Sequence, residues 1–162
     1  MFHCVQPQLG LTAASLESEH LDATDGRYWL RLEWRALVQA LRQSGEPRNL
    51  AVRDALAFRQ TRRMLYGANV ESEHGQEIAE GLAAYTPTVL AADSAADAIA
   101  SAIDLLVDTD AAALEASFVR TFAYMSGPVR QMCVASSARL TFIVSALPRV
   151  SYDVFAGPFG CH

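Results

Sequence analysis

The sequence predicts a mostly α-helical fold: a multi-helix array of antiparallel helix hairpins, with an irregular or partly β C-terminal tail. Three observations carry that expectation. Apolar residues recur at helical spacing through most of the chain. Alanine is abundant and, with leucine and arginine, tilts the propensity sum towards helix. Breaks rich in Gly, Pro and Asp separate the periodic runs. With 162 residues, 51% apolar and 19% charged, the chain can bury a real core and is not an intrinsically disordered one.

Taken in order, Met1 to Gln6 reads as the end of a helix stopped by Pro7, and Leu9 to Ser18 is ambiguous. Asp22 to Gly26 reads as a polar turn in which Thr24 or Asp25 caps the next helix. Leu30, Trp34, Leu37 and Leu41 then form one apolar stripe, with Arg31, Glu33, Arg35 and Arg42 on the polar side. Ser44-Gly45 ends this helix. Pro47 opens the next, whose stripe is Ala51, Ala55, Phe58, Arg62 and Leu65. The stem of Arg62 is expected to cover the edge of that stripe. A helical hairpin over about residues 26–66 follows.

A third helix is expected from Ser72 to Tyr85, kinked or ended by Pro87. Asp93 or Ser94 can cap a fourth, with Ile99, Ile103 and Leu106 inward. Asp110 can cap a fifth, with Leu114, Phe118, Phe122 and Met125 inward, stopped by Ser126-Gly127-Pro128. Only Arg130, Arg139, Arg149 and Asp153 are charged after Gly127, and small polar and β-branched residues mix there without a steady period. The chain therefore divides into a helical region, 1–127, and a tail of uncertain structure, 128–162.

Composition narrows the function. A net charge of −5 with pI about 5.3 offers no basic surface to nucleic acid. All basic residues are arginine; lysine is absent. No run is long enough to span a membrane, and the first residues lack the pattern of a signal peptide, which leaves the localisation open. Cys4, Cys133 and Cys161 are odd in number and widely spaced, so free thiols are expected rather than a disulfide framework. There is no phosphate loop, dinucleotide fingerprint, nucleophile elbow or EF-hand loop. The pairs Glu17/Glu19 and Glu71/Glu73 have a spacing that faces opposite sides of a helix, and they read as solvated carboxylates.

A more specific signal lies in three segments: LDATDGRYWLRLEWRAL at 21–37, DALAFR at 54–59 and EGLAAYT at 80–86. Together they resemble a group of uncharacterised bacterial proteins. In that group an H-E-x-F-H helix precedes the Leu/Asp/Trp segment and an E-G-L-A-E-Y-T-G helix follows it, an arrangement similar to gluzincin zinc metallopeptidases. The likeness covers about residues 1–127. In a gluzincin, two His one helical turn apart and a later Glu hold zinc, while the Glu inside the motif activates the zinc-bound water.

The resemblance implies that His3 corresponds to the second His of that motif and Glu80 to the downstream Glu ligand; Tyr85 matches a tyrosine of the group with no role assigned. The first His and the general-base Glu would lie just before Met1, so the chain is expected to be a truncated copy that starts inside the motif. Ala84 and Pro87 stand where the group has Glu and Gly. Zinc is implied for full-length relatives and is expected to be weakly held or absent here, with no efficient hydrolysis. Peptide or protein would be the substrate only by resemblance. Loss of the leading helix would expose apolar faces around residues 72–86 and favour self-association.

Two other readings remain open. The chain could be a non-catalytic all-helical binding or interaction module, with Trp29, Trp34, Phe58 and Tyr85 as core or partner-facing aromatics. Alternatively, Arg31, Arg35, Arg59, Arg62 and Arg63 could bind a small anion, against the simpler reading of surface ion pairs with Glu33 and Asp54.

Overall fold

The computed structural model describes residue 4 and residues 6–10, 18–112 and 117–135. The expected hairpin is present as α1, Thr24–Arg42, and α2, Gly45–Leu65. Next comes a long helical rod in three parts: α3, Val70–Gln76; a π-helical turn, Glu77–Gly81; and α4, Leu82–Leu90. Then follow α5, Ala95–Ala111, and α6, Phe122–Ala135. The described residues contain no strand, so the fold is mostly α; the expected β character of the tail concerns residues 136–162, which lie outside them.

α1 is the hub and packs on α2, α5 and α6. Its stripe buries Leu30, Trp34 and Leu37. Trp34 meets Phe118 edge-on, with ring centroids 4.9 Å apart, and the Arg27 guanidinium lies 4.6 Å above the same ring. Asp22 holds the Phe118 segment: it accepts from the Phe118 amide at 2.8 Å and from the Ser117 hydroxyl at 2.6 Å. α5 starts as expected at Ser94, whose hydroxyl accepts from the Asp97 amide, and it buries Ala98, Ala102, Ile103 and Leu106.

Several boundaries differ from expectation. Residues 22–26 do not form a capped turn. A 3₁₀ turn, Glu19–Asp22, feeds α1 almost directly, and the residue before α1 is Ala23, with no side-chain cap. Gly26 lies inside the helix, where a Cβ would sit 1.9 Å from the His20 carbonyl oxygen, so only glycine lets the 3₁₀ turn pack this closely. Asp110 does not start a helix; it lies in the last turn of α5, where Arg31 and Arg35 neutralise it. A carboxylate at a helix C-terminus opposes the backbone dipole, and two guanidiniums offset that.

Prolines at 87 and 128 are carried inside α4 and α6 instead of ending them. In α4, Thr86 and Thr88 donate to the carbonyls of Leu82 and Ala84. In α6, Pro128 is fully buried, and Ser126 donates to the Phe122 carbonyl at 2.8 Å. The change of composition after Gly127 thus falls within a helix that continues to Ala135. Cys4 is disulfide-bonded, which corrects the expected free thiol there; Cys133 is free and buried.

The π-helical turn is the other departure from a regular helix over 72–85. A π turn widens the backbone and shifts the bonding pattern of its carbonyls. Here the Ala79 carbonyl accepts from Gln6 Nε2 at 2.7 Å, and Gln6 is buried. Just beyond, Gly81 crosses Gly127 of α6 backbone to backbone. A Cβ on Gly127 would lie 2.4 Å from Gly81 Cα and 2.6 Å from its carbonyl oxygen. A Cβ on Gly81 would meet nothing closer than 3.4 Å. Gly127→Ala should therefore destabilise the protein by about 1–3 kcal/mol through overpacking. Gly81→Ala should be neutral or stabilising, since alanine is the better helix former by about 1 kcal/mol. Urea unfolding of the two variants checks the asymmetry, and equal losses would contradict this crossing.

Candidate functional site

The bundle interior holds a cluster of charges contributed by four helical segments. α1 provides Glu33, α2 provides Arg59, Arg62 and Arg63, the α3–π rod provides Glu73 and Glu77, and α6 provides Arg130. Helical spacing brings each set together: Arg62 and Arg63 lie three and four residues after Arg59, and Glu77 four after Glu73.

Arg62 is the centre and is fully buried. Its Nη1 donates to Glu33 at 2.7 Å. Its Nε and Nη2 grip both oxygens of Glu73, at 3.0 and 3.1 Å. Arg63 bridges Glu73 and Glu77, at 3.2 and 3.3 Å. Arg59 and Arg130 both pair with Glu77, and both stand about 4 Å from Glu33. His20 closes the cluster, with Nε2 2.6 Å from Glu73 and its ring tilted against Tyr66.

Burial by itself would raise the carboxyl groups of Glu33 and Glu73. The arginines around Glu33, and the hydrogen bonds of His20, Arg62 and Arg63 to Glu73, overcome it and hold both below the ordinary carboxylate range. Desolvation presses Arg59 down from its ordinary value; Glu33 opposes this, and the neighbouring guanidiniums of Arg130, Arg63 and Arg62 add to it. Burial also pushes the Cys133 thiol up to about 11, against the pull of Arg48 and Arg130. That thiol is therefore a poor nucleophile at neutral pH.

Glu80 lies in the π turn and is partly buried. Tyr124 of α6 is hydrogen-bonded to it. Burial first, then the bond to Glu80 and its charge, push the Tyr124 phenol up to about 12. The phenol thus stays protonated and donates to the carboxylate. Gln6, three residues after His3 in sequence, reaches the Ala79 carbonyl one residue before Glu80. His3 itself lies outside the described residues. Tyr85 is partly buried against the core.

Other expected assignments resolve differently. Glu73 is 1% exposed, which corrects its reading as a solvated carboxylate, while Glu71 and Glu19 are exposed as expected. The set of five arginines is split: Arg31 and Arg35 serve Asp110, and the rest join the cluster. Arg62 does not lie along the edge of an apolar stripe but sits wholly inside. His74 is exposed, and His162 lies outside the described residues. Among the described residues, no group of three or more His, Cys, Asp or Glu side chains is placed to hold a metal ion, and no helix is long and apolar enough to cross a membrane.

The fold and site define a helical bundle built round a buried ion cluster. Comparison with protein-family models, curated proteins and solved structures finds no match to this chain.

Breaking a buried ion pair by removing one partner leaves uncompensated charge. Arg62→Met should therefore cost about 3–5 kcal/mol in urea unfolding; a loss below about 1 kcal/mol would show that the cluster does not hold the bundle. The pH dependence follows from the lowered carboxyls. Their ordinary value is near 4.5, so the unfolded chain takes up protons there first. The stability they contribute is complete above that pH and is lost as pH falls through the lower folded values. Urea midpoints should be flat from pH 8 to 6 and drop below about 4.5, with a smaller drop in Glu73→Gln.

Proposed function

We propose that this chain is a gluzincin-like helical protein without peptidase activity, in which Glu80 and His3 are the retained positions of a zinc-ligand set. The observation that carries the reading is the surroundings of Glu80. Its carboxylate is partly buried on a widened helical turn and held by the Tyr124 hydroxyl, and the segment that follows His3 docks on the neighbouring carbonyl through Gln6. The close approach at Gly81 is made by α6, through Gly127, and is independent of the segment that carries His3.

Bound zinc would supply a Lewis acid and an activated water. The described residues offer Glu80 and a protonated phenol at this place, where a catalytic site uses three protein donors. They do not complete such a site, so no hydrolytic step is assigned to them.

Metal analysis of the purified protein, with a fluorogenic peptide assay, tests the reading. Expected are zinc well below one equivalent after dialysis, no chelator-sensitive cleavage, and a further fall in residual zinc uptake in His3→Ala and Glu80→Gln alike. Tightly held one-to-one zinc with cleavage that a chelator abolishes would overturn it, and so would zinc uptake indifferent to both substitutions. Self-association is expected through residues 72–86, but Ser72, Glu73, Gln76, Glu77 and Ala79 are buried there; the exposed large apolar side chains on this rod are Val89 and Leu90, beyond that stretch.

A second reading, a non-catalytic helical binding module, is favoured by a different observation. The ion cluster opens on one side into an apolar-walled cleft of about 200 Å³.

A further inference from the structure

Arg59, Arg130 and Glu33 form the polar floor of that cleft, and Leu37, Val52 and Leu56 are among its apolar walls. Among the described residues, the cluster beneath is out of charge balance: four guanidiniums (Arg59, Arg62, Arg63 and Arg130) face three carboxylates (Glu33, Glu73 and Glu77), and 4 − 3 leaves one positive charge in excess.

Geometry places the excess at the cleft. Arg62 takes both oxygens of Glu73 and one of Glu33. Arg59 and Arg130 are left to share one oxygen of Glu77, with the remaining Glu33 oxygen 3.9 and 4.0 Å away. Arg59 Nε is buried with no hydrogen-bond partner among the described residues. A buried cation without its own anion is unfavourable, so a monoanion arriving at this floor would meet a field already set for it.

We propose that the cleft binds a small monocarboxylate with a short, unbranched apolar chain, its carboxylate on Arg59 and Arg130 and its chain along Leu37, Val52 and Leu56. The planar guanidinium fork matches a carboxylate in shape as well as in charge. One negative charge balances the cluster, whereas a phosphate dianion would overshoot it. The apolar walls reward a hydrocarbon chain and leave further polar groups unpaired. The cleft's volume of about 200 Å³ suits a short chain. This inference names the ligand class of the binding-module reading and rests on it; it does not depend on Glu80 or on zinc.

Calorimetric titration of the full chain tests it with four probes: octanoate, the neutral octanamide, acetate and inorganic phosphate. Octanoate should bind one-to-one, and each of the other three should bind at least about tenfold more weakly, since each lacks either the charge-assisted bonds or the apolar chain. Leu56 is 60% exposed at the wall of the cleft, so Leu56→Glu should fold normally. Placing a carboxylate at the mouth should weaken octanoate by about tenfold or more. Arg130→Gln should weaken it similarly, with zinc content unchanged in both variants. No heat at millimolar octanoate would overturn the proposal. So would octanamide or phosphate binding as tightly as octanoate, or an unchanged octanoate affinity in a folded Leu56→Glu protein.

Discussion

The packing of the bundle depends on the Arg62 guanidinium. It sits fully buried between Glu33 of α1 and Glu73 of α3, on a helix whose partner in sequence is the first and whose partner in charge is the third. An ammonium group could not do this: the planar fork grips both oxygens of Glu73 while its other arm reaches Glu33. Such an arrangement is weak grounds for high stability, since desolvating the ions consumes most of what their attraction returns. Its effect is on register. A slip of one residue between α2 and the rod would take the charges out of hydrogen-bond reach and leave them buried without partners. Apolar packing alone would tolerate many such slips.

The second constraint is steric and works with the first. Gly127 against Gly81 lets α6 approach the rod at backbone distance, and that approach carries Arg130 to Glu77. The π turn lies between these two contacts. It allows Glu77 to face the charge cluster while Glu80, three residues later, is bonded to Tyr124 of α6. The widened turn thus divides two polar centres carried by one helix, and the N-terminal segment covers its carbonyls through Gln6.

Much of the scaffold was legible because helical periodicity is a local signal. The 24–65 hairpin and the Ser94 start of α5 follow directly from stripe and cap. What was not legible is where tertiary contact overrides local preference. Pro87, Gly127 and Pro128 carry strong stop signals, yet packing and compensating side-chain bonds keep each inside a helix. The charge cluster had a signal that pairing Glu71 with Glu73 missed. Glu73 and Glu77 are one turn apart, as are Arg59 and Arg62 or Arg63, and Glu33 stands between Leu30 and Leu37 on the apolar flank. Two oppositely charged faces of equal length on neighbouring helices are a pattern that a residue-by-residue prior for surface carboxylates discards.

The two polar centres differ in what they ask of a ligand. At Glu80 one carboxylate accepts from one protonated phenol, and that place needs further donors before it could hold a cation tightly. At Arg59 and Arg130, among the described residues, cations outnumber anions, the neighbouring walls are apolar, and Arg59 Nε is left without a hydrogen-bond partner. Natural interiors seldom leave such a group unmatched, because a buried donor without an acceptor carries its full desolvation cost. Arg130 thus faces two ways: it pairs with Glu77 where α6 closes on the rod, and it lines the open cleft with a charge that an arriving carboxylate would balance.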